Sequence, residues 1–179
     1  GYFAAVLDLA VAEIGNIMVG SAVNAGANRM TAAARRGTPI IAAPGFGDMI
    51  DFPTWAPVPE RFRTRPYHAH NRLIASASLT GPERRDLARE VARRLKPSTG
   101  PVHFVLPTQG VHAWDTEGMP AHDPDALAEM VEGYRAEMTD PIQLSVLDCH
   151  INDAAFSARV LEIIDGWIAD GTIKMTRGA

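Results

Sequence analysis

The hexapeptide at positions 148–153 carries the densest group of side chains in the chain that could take part in chemistry. It consists of Asp148-Cys149-His150-Ile151-Asn152-Asp153, and every residue except the isoleucine can titrate, bind a metal or form hydrogen bonds. Asp148 and His150 alternate, so on a continuing strand they would face the same way as a carboxylate–imidazole pair. If the protein is an enzyme, we therefore predict that His150 is its acid/base catalyst and that Asp148 orients it.

Two alternatives apply to the same hexapeptide. Asn152 or Asp153 could cap the helix that follows. Asp148 and His150 could instead hold a metal, as in a metal-dependent hydrolase, but an isolated D-x-H pair lacks the second half of a zinc signature. No metal ligands are therefore assigned. Cys149 has no second cysteine near it and is expected to be a small buried hydrophobe.

Histidines elsewhere in the chain indicate further contacts with a ligand. His70 and Asn71 lie together in a segment of weak periodicity and are candidates for positioning a substrate, with hydrogen bonding within the loop as the alternative. His112, Trp114 and Asp115 could line a pocket wall. Packing of Trp114 over the edge of the sheet is an equally good interpretation of that indole.

Glycine-containing turns could hold an anionic ligand, because backbone N–H groups in such loops attract anions. The candidates are Gly45 and Gly47, which precede Asp48, together with the loop 20–26 and Gly110. None of these matches a dinucleotide-binding or lysine-containing phosphate motif. A tight turn is the alternative for Gly45 and Gly47.

Strands and helices alternate along the chain and would position these residues. Apolar runs at 2–9, 39–43, 102–106 and 142–147 are typical of buried strands, and helical spacing follows at 11–19, 29–36, 81–96, 124–138 and 153–168. This alternation predicts an α/β fold of three layers, α/β/α, around a mostly parallel sheet. Parallel strands end at one edge of the sheet, so the polar residues that follow them should converge there.

The segment from 48 to 80 has little periodicity and contains four prolines. Within it, 67–71 and 73–79 could be extended. Arg61, Arg63 and Arg65 alternate and could grip an anionic partner. The alternative function for this part of the chain is a protein-interaction or oligomerisation arm over 51–66.

The amino-acid composition indicates which kinds of partner and which cellular compartment are expected. The 179 residues are 46% hydrophobic and carry a formal net charge of -4, which argues against nucleic acid as a partner. No apolar run approaches the ~20 residues of a transmembrane helix, so no membrane partner is expected. A single cysteine fits a reducing compartment and predicts a cytoplasmic location. The apolar start without a methionine is typical of a domain taken from a longer protein.

Several motifs together resemble an uncharacterised bacterial family with plant relatives that include the tomato mosaic virus resistance protein. The resemblance spans nearly the whole chain in order. It rests on Asp8-Leu9, Gly37 with Pro39, Pro44-Gly45, Val58 to Phe62, His70-Asn71, Ser98 to Val102, Leu106-Pro107 with Gly110-Val111, Asp115 with Gly118, and Asp148 with His150 to Asp153.

The resemblance implies that residues 1–179 form the carboxy-terminal domain of a two-domain unit with Rossmann-like α/β domains. It further implies that ATP binds the unit, chiefly through the amino-terminal domain, which would then be a partner of this chain. The matching polar residues are candidates for one cleft: Asp8, Asp48, His70, Asn71, Asp115, Asp148, His150, Asn152 and Asp153. His112 and Ala121 depart from the family pattern.

These observations lead to one main hypothesis, a domain that forms one wall of an interdomain cleft for a nucleotide or a small anionic metabolite. In an enzymatic version His150, Asp148 and His70 act on the ligand. The glycine turns, Asp48, Asn71, Asp115, Asn152 and Asp153 then bind it. A homo-oligomer is expected.

Overall fold

The computed structural model of the protein describes residues 3–174. Its strands are β1 (Val6–Ala10), β2 (Ile40–Gly45), β3 (Met49–Pro53), β4 (Tyr67–His68), β5 (Ile74–Ser78), β6 (Val102–Pro107) and β7 (Ile142–Leu147). Its α-helices are α1 (Ala12–Met18), α2 (Thr31–Arg35), α3 (Gly81–Leu95), α4 (Pro124–Glu137) and α5 (Ala154–Ala169), and a 3₁₀ turn covers Glu60–Phe62.

The main sheet has four strands in the order β1-β2-β6-β7, all parallel. Apolar side chains of β2 alternate between two cores, with Ile40 and Ala42 on one face and Ile41 and Ala43 on the other. The first core also contains residues of α1, α3 and α4, and the second contains residues of α5. The three-layer α/β arrangement predicted from the alternating pattern is therefore confirmed.

Three helix ends coincide with local capping groups. The side chain of Thr80 and that of Glu83 form a capping box at the start of α3. Asp123 caps α4 by accepting a hydrogen bond from the N–H of Ala126 at 2.9 Å. Gly37, just after α2, has φ of +65°, a backbone conformation that favours glycine.

The segment 48–80 is more ordered than its sequence indicated. Strands β3, β5 and β4 form an antiparallel sheet of three strands in that order, and β3 was missed as a strand. The side chain of Phe62 is fully buried, which anchors the predicted arm to the core. Strand β5 is rich in small residues and β4 has two residues, so neither has strong hydrophobic alternation.

Strand β7 also differs from the prediction of a fully buried strand. It lies at one end of the main sheet, and Gln143 and Val146 are exposed. The predicted strand at 2–9 is observed from Val6 to Ala10, and residues 1 and 2 lie outside the described range. Among the helices in residues 3–174, none combines the length and apolar character needed to cross a bilayer.

Candidate functional site

Four ionisable side chains meet at the carboxyl edge of the main sheet. Asp48 lies between β2 and β3, His112 and Asp115 lie in the loop after β6, and His150 follows β7. Asp48, His112 and Asp115 are buried, and the side chain of His150 is 12% exposed. The expected convergence of polar residues at this edge is therefore seen for these four residues.

Asp48 and His112 form the first of two carboxylate–imidazole pairs. Nε2 of His112 lies 2.9 Å from Oδ2 of Asp48. Nδ1 of the same ring accepts a hydrogen bond from the backbone N–H of Trp114 at 3.2 Å. Because Nδ1 is an acceptor, the network assigns the ring proton to Nε2, which then donates to Asp48.

Asp115 and His150 form the second pair with the same arrangement. Nε2 of His150 lies 3.0 Å from Oδ1 of Asp115, and Nδ1 accepts from the backbone N–H of Asn152 at 3.0 Å. Oδ2 of Asp115 also accepts the N–H of Val111 at 2.5 Å. These contacts tie the loop after β7 to the loop after β6.

Gly110 provides the space for the second pair. A Cβ atom at this position would lie 2.4 Å from Cδ2 of His150 and 2.6 Å from Oδ1 of Asp115, and φ is +133°. Both the conformation and the close approach require glycine here. The structural role of Gly110 is therefore to leave room for the side chains of His150 and Asp115.

Arg84 and Tyr134 extend the network into the core. The guanidinium of Arg84 donates to the carbonyl of Leu79 at 3.0 Å and lies 3.8 Å from Oδ2 of Asp48. Burial and the nearby charge of Asp48 raise the pKa of the Tyr134 phenol, which therefore stays protonated. Within residues 3–174, Oδ1 of Asp48, Nη2 of Arg84 and the Tyr134 hydroxyl have no hydrogen-bond partner.

Asp48, His112 and Asp115 also offer one ligand atom each within 4.8 Å of one another, the spacing of a possible cation site. Their chemistry fits a hydrogen-bonded network better. The Nε2 proton of His112 is directed to Asp48, and Asp115 accepts from two backbone N–H groups and from His150. Arg84 already places a positive charge beside Asp48.

A cleft of about 490 Å³ opens beside this network and is lined mainly by apolar and aromatic residues. Trp114 lines this cleft, and the centroid of its ring lies 3.6 Å from that of His68, 5.3 Å from His70, 5.6 Å from Phe46 and 5.8 Å from His112. Phe46 has φ of +53°, uncommon for a bulky residue. The strained backbone presents this ring to His112 and Trp114.

The predicted site residues divide between the network, the cleft and other places. His70 lines the cleft, whereas Oδ1 of Asn71 accepts the N–H groups of Leu73 and Ile74 and so shapes a turn. Asp8 is not one of the described residues that line the cleft; it forms an ion pair with Arg29.

Asp148 and His150 do not form the predicted pair. Asp148 accepts from Nε2 of Gln109 at 2.6 Å, while the carboxylate bonded to His150 belongs to Asp115. The chain turns after β7, so the alternation that would have aligned the two side chains stops there. Asp148 lines a separate groove between α4 and β7.

The capping interpretation of the hexapeptide holds only in part. Asp153 occupies the N-cap position of α5, but it has no side-chain hydrogen bond to that helix. Its Oδ2 instead accepts the N–H of His150 at 2.8 Å. Asn152 contributes its backbone N–H to the ring of His150. Cys149 is buried as expected, and burial, with Asp153 and Asp148 nearby, raises its pKa.

Gly45 and Gly47 both lie in close contact with the backbone. A Cβ atom on Gly45 would lie 2.2 Å from the carbonyl oxygen of Leu9, and one on Gly47 would lie 2.8 Å from that of Pro44. The N–H of Gly47 donates to the carbonyl of Pro44 at 2.9 Å, which closes a tight turn. This geometry favours the turn over a phosphate cradle.

Sequence reasoning missed Arg84 and Tyr134. Charged residues at helical spacing, such as those of α3, usually indicate a solvated face, but Arg84 and Arg94 are only 1% and 6% exposed. The signal was present, because Arg84 shares a helical face with Leu87 and Val91, three and seven residues later. Arg94 donates to the carbonyls of Ala27 and Arg29.

Comparison with known proteins identifies relatives of this chain. The profile of the Uncharacterised protein family (UPF0261) C-terminal domain matches residues 1–168. A UPF0261 protein of Brucella melitensis biotype 1 is 46% identical over 171 residues, covering 96% of this chain and 41% of the relative. A UPF0261 protein of Mesorhizobium japonicum is 33% identical, with 92% and 42% covered.

A plant protein is a more distant relative. The ToMV resistance protein Tm-1(GCR237) of Solanum lycopersicum is 28% identical over 164 residues, which cover 90% of this chain and 22% of that protein. The chain thus spans less than half the length of the curated relatives described here.

Proposed function

The chain belongs to the uncharacterised protein family UPF0261, matching its C-terminal domain, and we propose that it forms one wall of a cleft that binds a small molecule through a flat ring. A nucleotide similar to ATP, or a small anionic metabolite that contains a ring, is the proposed ligand class. The observation that carries the proposal is the half-buried indole of Trp114, surrounded by Phe46, His68, His70 and His112 beside an open cleft.

Aromatic side chains in this arrangement favour a planar ligand. Offset or edge-on ring pairs stabilise a contact by about 0.5–1.5 kcal/mol beyond the area that they bury. Small pockets of this kind combine apolar walls with a few polar groups that orient the ligand. His70 is exposed and its ring has no hydrogen-bond partner in the part of the chain that the structure describes, so it can bond to a ligand.

The charged residues around the cleft indicate which part of the protein would bind the anionic group of a ligand. Among residues 3–174, no lysine or arginine lines the cleft, and the carboxylate of Asp51 is already bonded to Asn16 and Ser76. A phosphate or carboxylate group would therefore be held by residues outside this wall. This division agrees with a chain that covers 41% of the Brucella relative.

A catalytic role for His150 requires a rearrangement. Both ring nitrogens of His150 have protein partners, so Nδ1 would have to release the N–H of Asn152 before it could take a proton from a substrate. Binding is therefore the function that the present geometry supports best.

The test uses Trp114 as a reporter in the complete protein. Trp55→Phe with Trp167→Phe leaves Trp114 as the single tryptophan of these 179 residues, and any tryptophan elsewhere in the complete protein is also replaced by phenylalanine. The fluorescence of Trp114 is then followed during titration with adenosine, ATP or ribose 5-phosphate. We expect the two ligands with a base to change the emission and the ribose phosphate to leave it unchanged. Calorimetry should show binding at least ~10-fold weaker in Trp114→Ala and unchanged in Trp55→Ala. Equal affinities in these two variants would refute the proposal.

An interaction surface is the second candidate function, supported by Trp55. Its side chain is 72% exposed, and Leu73, 62% exposed, lies at the same end of the antiparallel pair of strands β3 and β5. The N–H of Thr54 donates to the carbonyl of Leu73 at 3.0 Å and holds this end together. If the surface supports a homo-oligomer, Trp55→Ala should lower the mass measured by light scattering.

A further inference from the structure

We infer that the outer edge of β7 is covered in the complete protein by an extended segment of the same polypeptide, which adds a strand to the four-stranded sheet. This surface lies away from the aromatic cleft, so the inference stands independently of the proposed ligand. It rests on the open hydrogen-bonding groups of β7, on the protection of the other sheet edges and on the charge of the adjacent groove.

The backbone groups of β7 alternate between the neighbouring strand and the outside. The carbonyl of Leu147 accepts the N–H of Thr108 at 3.0 Å, so Leu147, and with it Ser145, faces β6. Leu144 and Val146 must then direct their N–H and C=O groups outward. No strand pairs with that side of β7 within residues 3–174.

The other main-sheet edge is protected in ways that natural proteins commonly use. Strand β1 has a register shift after Asp8, which interrupts a regular edge. Arg29 pairs with Asp8 and donates to the carbonyl of Ala10 at 2.9 Å, so a charged side chain occupies a backbone acceptor there.

The edges of the small sheet are protected as well. Strand β4 has two residues, too few to serve as a template. At β3, the N–H of Asp51 donates to Oδ1 of Asn16 at 2.8 Å, and the carbonyl of Asp51 accepts from the hydroxyl of Ser21. Side chains therefore satisfy the backbone of the exposed side of β3.

Strand β7 has none of these protective features in the part of the chain that the structure describes. Its six residues, Ile142–Leu147, contain no charge and no proline. Its pairing with β6 runs without a shift from Ile142 to Leu147. A long, regular and uncharged edge is a template for another strand, and natural proteins rarely leave one uncovered. The physical expectation is therefore that a strand covers it.

The groove beside β7 indicates the chemistry of that strand. A volume of about 520 Å³ lies between α4 and β7, with Val131 and Val146 as apolar lining and Glu132, Arg135 and Asp148 as charged lining. The two acids outnumber the single base. A covering segment would insert an apolar side chain between the valines and place a basic side chain near Asp148.

A second copy of this chain fits the edge less well. Antiparallel pairing of two β7 strands would bring Asp148 of one copy towards Asp140, which precedes the strand in the other. Like charges would then meet at both ends of the pair. The family relatives provide another source, because the match covers 41% of the Brucella protein and leaves more than half of that protein outside it.

Hydrogen–deuterium exchange on the complete protein tests the inference. The N–H groups of Ser145 and Leu147 face β6 and act as internal controls. We expect the outward N–H groups of Leu144 and Val146 to exchange about as slowly as these controls, and at a rate independent of protein concentration. Exchange more than ~100-fold faster than the controls would overturn the inference. Protection that appears only at high concentration would overturn it in favour of a second copy.

A matched pair of substitutions adds a second readout. Val146→Pro removes an outward N–H without removing a bond to β6, which an edge strand tolerates. Val146→Thr keeps the N–H with a similar shape. In the complete protein, we expect exchange at Leu144 to accelerate at least ~10-fold more in V146P than in V146T, because only the proline removes the outward N–H. Equal exchange at Leu144 in both variants would contradict the inference.

Discussion

The imidazole of His150 donates to the carboxylate of Asp115 at 3.0 Å and thereby joins two loops that are 35 residues apart in the chain. The same carboxylate accepts the N–H groups of Val111 and His112. His112 in turn bonds to Asp48, so the ends of β2, β6 and β7 are connected by side chains. Trp114 contacts this network through His112, whose Nδ1 accepts the backbone N–H of Trp114.

Loss of the His150 imidazole should destabilise the protein. His150→Ala leaves Oδ1 of Asp115 without its donor in a buried site, which should lower the free energy of unfolding by about 1–3 kcal/mol. Urea denaturation followed by circular dichroism measures this change. His70→Ala is the control, because His70 is exposed and should change the unfolding free energy by less than about 0.5 kcal/mol. Equal losses in both variants would show that the Asp115 contact contributes little.

Gly110 tests the space around the same pair. Gly110→Ala introduces a Cβ 2.4 Å from the His150 ring at φ of +133°, so we expect it to lower the unfolding free energy by more than about 2 kcal/mol. Gly118→Ala separates the two causes, because Gly118 has φ of +82° and no atom of residues 3–174 lies within 4 Å of the Cβ that alanine would add. That control should lose about 1 kcal/mol from backbone strain alone. A larger loss at Gly118 than at Gly110 would contradict the steric argument.

Arg84 and Asp48 form a buried pair whose separation should be costly. Among residues 3–174, Arg84 is the only arginine that forms an ion pair with Asp48. We therefore expect Arg84→Met to lower the unfolding free energy by about 3–5 kcal/mol. Arg85→Met is the matched control on the same helix, with a half-exposed pair to Glu129 at 2.9 Å. It should cost at most about 1 kcal/mol. If Asp48→Asn fails to recover part of the loss in the double variant, the Asp48 charge is not its cause.

Glu83 should give the stability a measurable dependence on acid pH. Burial alone would raise its pKa, but hydrogen bonds from Arg65 and Thr80 outweigh burial and lower the pKa below 4.5. Its ionised form therefore stabilises the fold above pH 4.5, and this contribution disappears as the pH falls through the folded-state pKa. Glu83→Gln keeps a capping acceptor but removes the charge.

The measurement for Glu83 is the difference in unfolding free energy between the native protein and Glu83→Gln across pH. We expect the difference to be greatest at neutral pH and to shrink in acid. Glu132→Gln is the control, since the Glu132 side chain is 73% exposed and 3.7 Å from Arg135. A difference for Glu83→Gln that stays constant down to pH 2 would contradict the proposed linkage.

The aromatic cleft shows how far local patterns reach. A pocket wall was one of two interpretations of His112, Trp114 and Asp115. The structure places His112 and Trp114 in the cleft lining together with His70, whereas Asp115 bonds to His150 in the buried network. The participation of His68 was not expected, because its contact with Trp114 depends on how the short strand β4 pairs with β5. A strand of two residues is too short to show a hydrophobic pattern from which this pairing could be predicted.

The sequence by itself determined the α/β class, the four strands of the main sheet and the helix boundaries near residues 36, 81 and 124, because hydrophobic periodicity is a local property. The tertiary structure alone decided that His150 pairs with Asp115 and that Arg84 lies buried near Asp48. Those contacts depend on strand order and on which helix face is covered. Side chains distant in sequence meet only after the chain has packed, so no local spacing encodes their partners.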